Sequence, residues 1–262
     1  MTALIGNLGD LVIGGLRSTG RGAILLRSIL LQLRFSWRMR AEIMEQMQVV
    51  AIGSLPLVIT TSVFVGAVTA VQAVYQMQAY VPMKFLGVMI SKSVFIELGP
   101  VLIALVVGSR NCASYAAELG TMKVTEQLDA MEIMAIDPVR YLAMPRFLAS
   151  VLMLPIATIL ANAVAIFGGY LASVFTLDVT SSTFIEGLRL FYDPLDLIGG
   201  LIKSLIFGGI IAMSGIYFGF NTEGGAEGVG KATMTAVVGS CLSILVADYL
   251  LAIVLFQIIF NK

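Results

Sequence analysis

The chain has 262 residues, 58% of them hydrophobic and 12% charged, with 16 basic and 16 acidic side chains and no histidine. A soluble domain carries roughly 25% charge, so this balance describes a polytopic membrane protein. The zero net charge does not suggest nucleic acid, and the missing imidazole excludes histidine catalysis and histidine-ligated metals.

Residues 1–48 come first. They are apolar but studded with Arg17, Arg21, Arg27, Arg34, Arg38 and Arg40, and Leu25, Leu26, Ile29, Leu30 and Leu33 recur between them at helical spacing. The pattern predicts an amphipathic helix lying in the membrane interface, its arginines reaching the headgroups. Residues 1–20 lack the basic start, apolar centre and small-residue cleavage site of a signal peptide. Residues 49–262 read as one membrane domain with spans at about 49–76, 85–108, 147–175, 197–219 and 234–259. The predicted fold is therefore an all-α membrane protein: an N-terminal interfacial helix plus five transmembrane helices. No internal repeat, linker or second domain is visible. Cys112 and Cys241 are single and far apart, which fits reduced packing thiols better than a disulfide or a metal site.

Orientation follows from the loop lysines and arginines. With the N-terminus inside, the inner loops hold eleven of them and the outer loops three, Lys84, Arg189 and Lys262. This predicts a cytoplasmic N-terminus and, after five spans, an external C-terminus. The first span ends at Gln72, Tyr75, Gln76 and Tyr80, either an interfacial belt or the mouth of a pocket.

Between spans two and three the chain breaks its apolar run with Glu118, Lys123, Glu126, Asp129, Glu132 and Asp137. Val124, Leu128, Met131 and Ala135 share one helical face and Glu126, Asp129 and Glu132 the opposite one. Asp137-Pro138 is expected to end this helix. A helix resting on lipid favours Lys and Arg, and this one is net acidic, which favours docking of a soluble partner. The residues alone leave both readings open. Residues 180–192 predict a short amphipathic helix on the outer side.

Four charges fall within predicted spans: Lys92, Glu97, Lys203 and Asp248. Each alone near a bilayer centre costs ~2.5–3.5 kcal/mol, so pairing is expected, Glu97 with Lys203 and Lys92 with Asp248. They either fix helix register or line a cavity for lipid headgroups. The stretch GAEGVGKAT (225–233) nearly spells a phosphate-binding loop, but Ala232 stands where Ser or Thr must hold Mg²⁺, and a membrane span precedes it instead of a strand. It reads as a flexible turn into span five, and any ATP must be used elsewhere.

The elements E-L-G-P (97–100), A-E-L-G-x-M (117–122), T-E-Q-L-D-A-M-E (125–132) and D-P-x-R-x-L-x-x-P-R (137–146), with GGAEGVGKATMTAVV (224–238) and the surroundings of Asp248, resemble the MlaE-type permeases, also called the YrbE or Mce-associated permease family. The resemblance covers about residues 45–260. It implies a homodimeric ABC-transporter permease of five spans per protomer in the bacterial inner membrane. It implies no cofactor on this chain, ATP and Mg²⁺ on a separate cytoplasmic ATPase, a periplasmic MCE-domain partner, and phospholipid or a related lipid as substrate. A small cytoplasmic accessory protein is a further candidate partner. Under it, 118–138 is the cytoplasmic coupling helix that meets the ATPase through Glu118, Lys123, Glu126, Leu128, Asp129, Met131, Glu132 and Asp137. The family commonly has a base just before E-L-G-P; this chain has Ile96 there, and Lys92 stands one turn earlier. Gly239, Ser240 and Ser243 of span five are candidates for the contact between copies. The alternative is an ion-coupled secondary transporter using Glu97 and Asp248, which predicts inverted repeats and broken helices.

Overall fold

A computed structural model describes residues 19–77, 82–190 and 192–259; Arg17 and Tyr80 lie outside them. Among the described residues every regular element is helical. Helix α1 (residues 19–32) leads through a short 3₁₀ turn (Leu33–Phe35) into α2 (Arg40–Ile52). Then come α3 (Leu55–Met77), α4 (Leu86–Ser93), a π turn (Val94–Leu98) and α5 (Gly99–Val124). The short α6 (Gln127–Ile133) precedes a second π turn (Val139–Ala143) and α7 (Met144–Phe175). Helices α8 (Ser181–Leu190), α9 (Pro194–Phe220) and α10 (Gly225–Ile259) complete the chain. Five of these runs are long and apolar enough to cross a membrane: α3, Met83–Val124, Val139–Phe175, α9 and α10. The protein is a multi-pass membrane protein of the predicted all-α class.

Helix α3 packs on α7, α5 on α9 and α10, and α7 on α9. Hydrophobic burial drives little association between helices already in lipid, so contact depends on close van der Waals approach through small residues. A methyl group at Gly66 would overlap the Ala165 carbonyl, and one at Gly168 would overlap the Val63 carbonyl. Those two glycines let α3 and α7 touch backbone to backbone. Gly168→Val is therefore expected to destabilise the bundle by about 1–3 kcal/mol or more. The check is the fraction of detergent-solubilised protein that survives a heating series.

Helix α10 is different. Only 11% of its most apolar window is buried within the chain, against 44% for α9. Val238, Leu242, Leu245, Val246 and Leu250 form a long exposed apolar face. Ser240, expected in a contact between copies, is instead buried inside the chain, and its hydroxyl donates to the Val237 carbonyl.

Several boundaries move. The described part of the N-terminal segment is two helices with an elbow, not one. Helix α2 straddles residue 48 and packs on α7 with Ile43 and Val50 buried, so one side of it is given to protein contact. The first membrane helix starts at Leu55, after a corner at Gly53 and Ser54. Helix α5 runs unbroken to Val124, so Glu118 and Lys123 belong to its last turns and not to a separate coupling helix. Glu126 (φ 61°) breaks it, and Ala135 (φ 58°) ends α6. Both adopt the left-handed region that side chains rarely enter. Asp137 does not end α6; its carboxylate accepts the Val139 amide at 2.9 Å and so opens the next helix. The turn at residues 221–224 is confined: from Gly225 onward the near-phosphate-loop sequence is helix. Helix α8 packs against α4 with Phe184 buried.

Candidate functional site

Lys203 lies in the third turn of α9 with 1% of its surface exposed. Its Nζ donates to Glu97 Oε1 at 2.7 Å and to Asp248 Oδ1 at 2.9 Å. Three elements thus meet at one ammonium: α9, the π turn and α10. The expected Glu97–Lys203 pair is present. The expected Lys92–Asp248 pair is not: Asp248 joins Lys203, and Lys92 Nζ instead donates to Asp196 Oδ2 at 2.8 Å.

Geometry explains the exchange. Asp196 and Lys203 are seven residues apart on α9, two turns and one face. Lys92 and Glu97 are five apart, which in an α-helix puts them on different faces. The π turn closes at i+5 instead of i+4, so five residues nearly complete its turn. Both side chains then face α9, and the charges alternate in sign across the contact.

Asp196 is the residue that sequence reasoning missed. With span four predicted from about 197, Asp196 falls one residue short of it. The available signal was Asp193-Pro194: an N-cap acid followed by proline at the first helical position. Asp193 does cap α9, accepting the Leu195 amide at 2.9 Å, which puts Asp196 in the first turn, 3% exposed.

The cluster opens to one side. The Glu97 side chain is 40% exposed and lines a cleft of about 330 Å³ with Thr69, Gln72 and Gln76 of α3 and Met89 and Ser93 of α4. So Gln72 and Gln76 are brought to Glu97. Tyr75 is not; it lines a neighbouring groove with Val68, Val71 and Thr176, and Gln72 borders both spaces.

At the α6 end the candidate contact residues divide. Glu118 receives Arg146 Nη2 at 2.9 Å, clamping α5 to α7. Lys123 holds Asp129 at 2.8 Å across the break. Asp137 accepts from Gln32 at 2.9 Å, and Arg140 stacks on Phe35 at 4.0 Å, so the N-terminal elbow grips the loop after α6. Leu128 is buried and Met131 packs on the same core, but Ala135, expected beside them, is exposed. Glu126 and Glu132 are exposed and make no ion pair among the described residues. Next to them lies an apolar edge the helical pattern did not foresee: Ile133 (87% exposed), Met134 and Ile136.

A family model described as permease MlaE matches residues 43–254. A probable ABC transporter permease protein of Synechocystis is 40% identical over 218 residues, 83% of each chain. One of Rickettsia bellii is 38% identical over 216 residues, 82% of this chain and 83% of that one. The intermembrane phospholipid transport system permease protein MlaE of Haemophilus influenzae is 32% identical over 256 residues, 96% of this chain and 97% of that one.

Proposed function

The chain belongs to the MlaE permease family, and from that premise we propose that it moves phospholipid or a related lipid between the inner membrane and a periplasmic MCE-domain conduit, as the membrane subunit of an ABC transporter. The observation that carries this reading is the charge cluster opening on the cleft of Gln72, Gln76 and Glu97. Ionisable groups inside a membrane stay there beside partners or polar cargo. The cleft mixes those polar groups with Ala73, Met89 and Leu98, which suits a molecule with a polar head and apolar tails. Family membership favours this ATP-driven reading over the ion-coupled one.

In this reading two copies pair through the exposed face of α10, because one protomer offers too little wall to enclose a lipid. The N-terminus is cytoplasmic and the C-terminus periplasmic. Helix α6 docks on a separate ATPase that carries ATP and Mg²⁺, with a small accessory protein as a further cytoplasmic partner. In this reading the nucleotide is bound by the partner, and the near-phosphate-loop stretch serves only as the first turns of α10.

The test is native mass spectrometry of the assembly purified from its own membranes. Two copies of this chain, an ATPase and retained phospholipid are the expected result. An assembly without an ATPase would overturn the reading, and a monomeric chain would overturn the dimer.

A further inference from the structure

Asn162 of α7 is 2% exposed, and among the described residues neither its Oδ1 nor its Nδ2 has a hydrogen-bond partner. Leaving a buried polar group unsatisfied costs about 1–3 kcal/mol, so the amide needs a partner. Two other observations converge on it. A methyl group on Gly99 would overlap Asn162 Oδ1; only glycine there lets the amide reach the backbone where the π turn passes into α5. Beside this contact is a cavity of about 10 Å³, walled among others by Thr61, Ser62, Val94, Gly99 and Ala161; Asn162 is not itself in the wall but adjoins it through Gly99, which it touches, and Ala161, its chain neighbour. That is the room one water molecule needs, and a buried water usually makes about three hydrogen bonds.

We propose that Asn162 is a positioning residue: through one buried water shared with Ser62 and the π turn, it holds Glu97 in reach of Lys203. Water fits better than a cation, because no carboxylate lines the cavity and Asn162 Nδ2 requires an acceptor. The consequence follows from helix geometry. A π turn inserts one residue into the α-helical ladder, and such an insertion persists only where its surroundings hold it. If the segment relaxed to α-helix, Glu97 would rotate by about 100° away from α9. Asn162 and its water brace the longer turn from the α7 side, while Lys203 draws on Glu97 from the α9 side.

The inference rests on the reading of the charge cluster as transport machinery, and the test separates the two. The intact transporter is purified with Asn162→Leu, Asn162→Ser, Ser62→Val, Glu97→Gln and the pair Asn162→Leu with Glu97→Gln. Transport of labelled phospholipid and a high-resolution map of the wild type are recorded. Asn162→Leu is expected to lower transport about tenfold, the equivalent of one lost hydrogen bond to a buried group, and to have no further effect once Glu97 is glutamine. Asn162→Ser, which keeps a polar group and room for the water, should stay near wild type. Ser62→Val, which fills the cavity, should behave like Asn162→Leu, and it decides the matter should that variant fail to assemble. The map should show a water between Asn162 and Ser62. Undiminished transport by both Asn162→Leu and Ser62→Val, an equal loss in the Glu97→Gln background, or a cavity without the water would overturn the proposal. Wild-type transport by Glu97→Gln would instead overturn the reading of the cluster, leaving the map to decide the water.

Discussion

Lys203→Ala is expected to abolish transport and to cost the folded protein more than any other single substitution in the charge cluster. The reason is arithmetic. Lys203 is the only base within 4 Å of Glu97 or Asp248 among the described residues, and its removal leaves two carboxylates facing each other. Breaking an ordinary buried pair costs about 3–5 kcal/mol because one charge is stranded; here two of like sign are. Glu97→Gln or Asp248→Asn alone leaves a one-to-one pair with Lys203, so each should be milder in stability. Glu97 is half-buried beside the cleft, so Glu97→Gln should lose transport with little loss of expression. Replacing all three by leucine removes every stranded charge and can be nearly neutral for folding. If the cluster only fixes helix register, that triple variant recovers transport with expression; if it handles headgroups, it expresses and remains inactive. Expression, thermal survival in detergent and lipid transport in proteoliposomes distinguish these outcomes. A Lys203→Ala protein with wild-type survival and transport would contradict both roles.

The spans were legible because uncharged runs longer than about 20 residues have few alternatives. The Glu97–Lys203 pair was legible for a related reason: two opposite charges at similar depth in a bilayer have strong cause to meet. What escaped the sequence was register. Lys92 and Glu97 look unrelated when counted at 3.6 residues per turn, and nothing in VFIEL announces a π turn. Asp196 escaped because a membrane span was expected to begin after its last charge, whereas α9 buries an acid in its first turn. The limits of the acidic loop are hidden for the opposite reason. Residues 118–124 continue the helical pattern of the span before them, and the break depends on one left-handed residue, Glu126, a conformation glutamate does not advertise. Once α5 is extended, half of the expected contact residues become internal clamps.

That redistribution fixes the second large effect. Ile133→Asp with Met134→Asp is expected to release the ATPase while leaving the permease folded, and to do so more completely than Glu126→Lys with Asp129→Lys. Ile133 and Met134 are exposed in the isolated chain, so changing them strands nothing inside it. If they are buried against a partner, each contributes about 1.5–3 kcal/mol of apolar transfer. Losing both therefore weakens binding roughly 10²–10⁴-fold at 1.4 kcal/mol per factor of ten. The acids have less to lose. Asp129 is already held by Lys123 at 2.8 Å, and exposed rim charges act more on the rate of encounter and on salt dependence than on affinity. Reversing them should slow association and weaken capture at low salt, with the difference shrinking as salt rises. Co-purification of the ATPase at two salt concentrations, with size-exclusion profiles of the permease as the folding control, measures both. Equal retention of the ATPase by the Ile133 and Met134 variant and the wild type would remove α6 as the docking element. A larger loss from the charge reversal than from the apolar pair would return the contact to the acidic face.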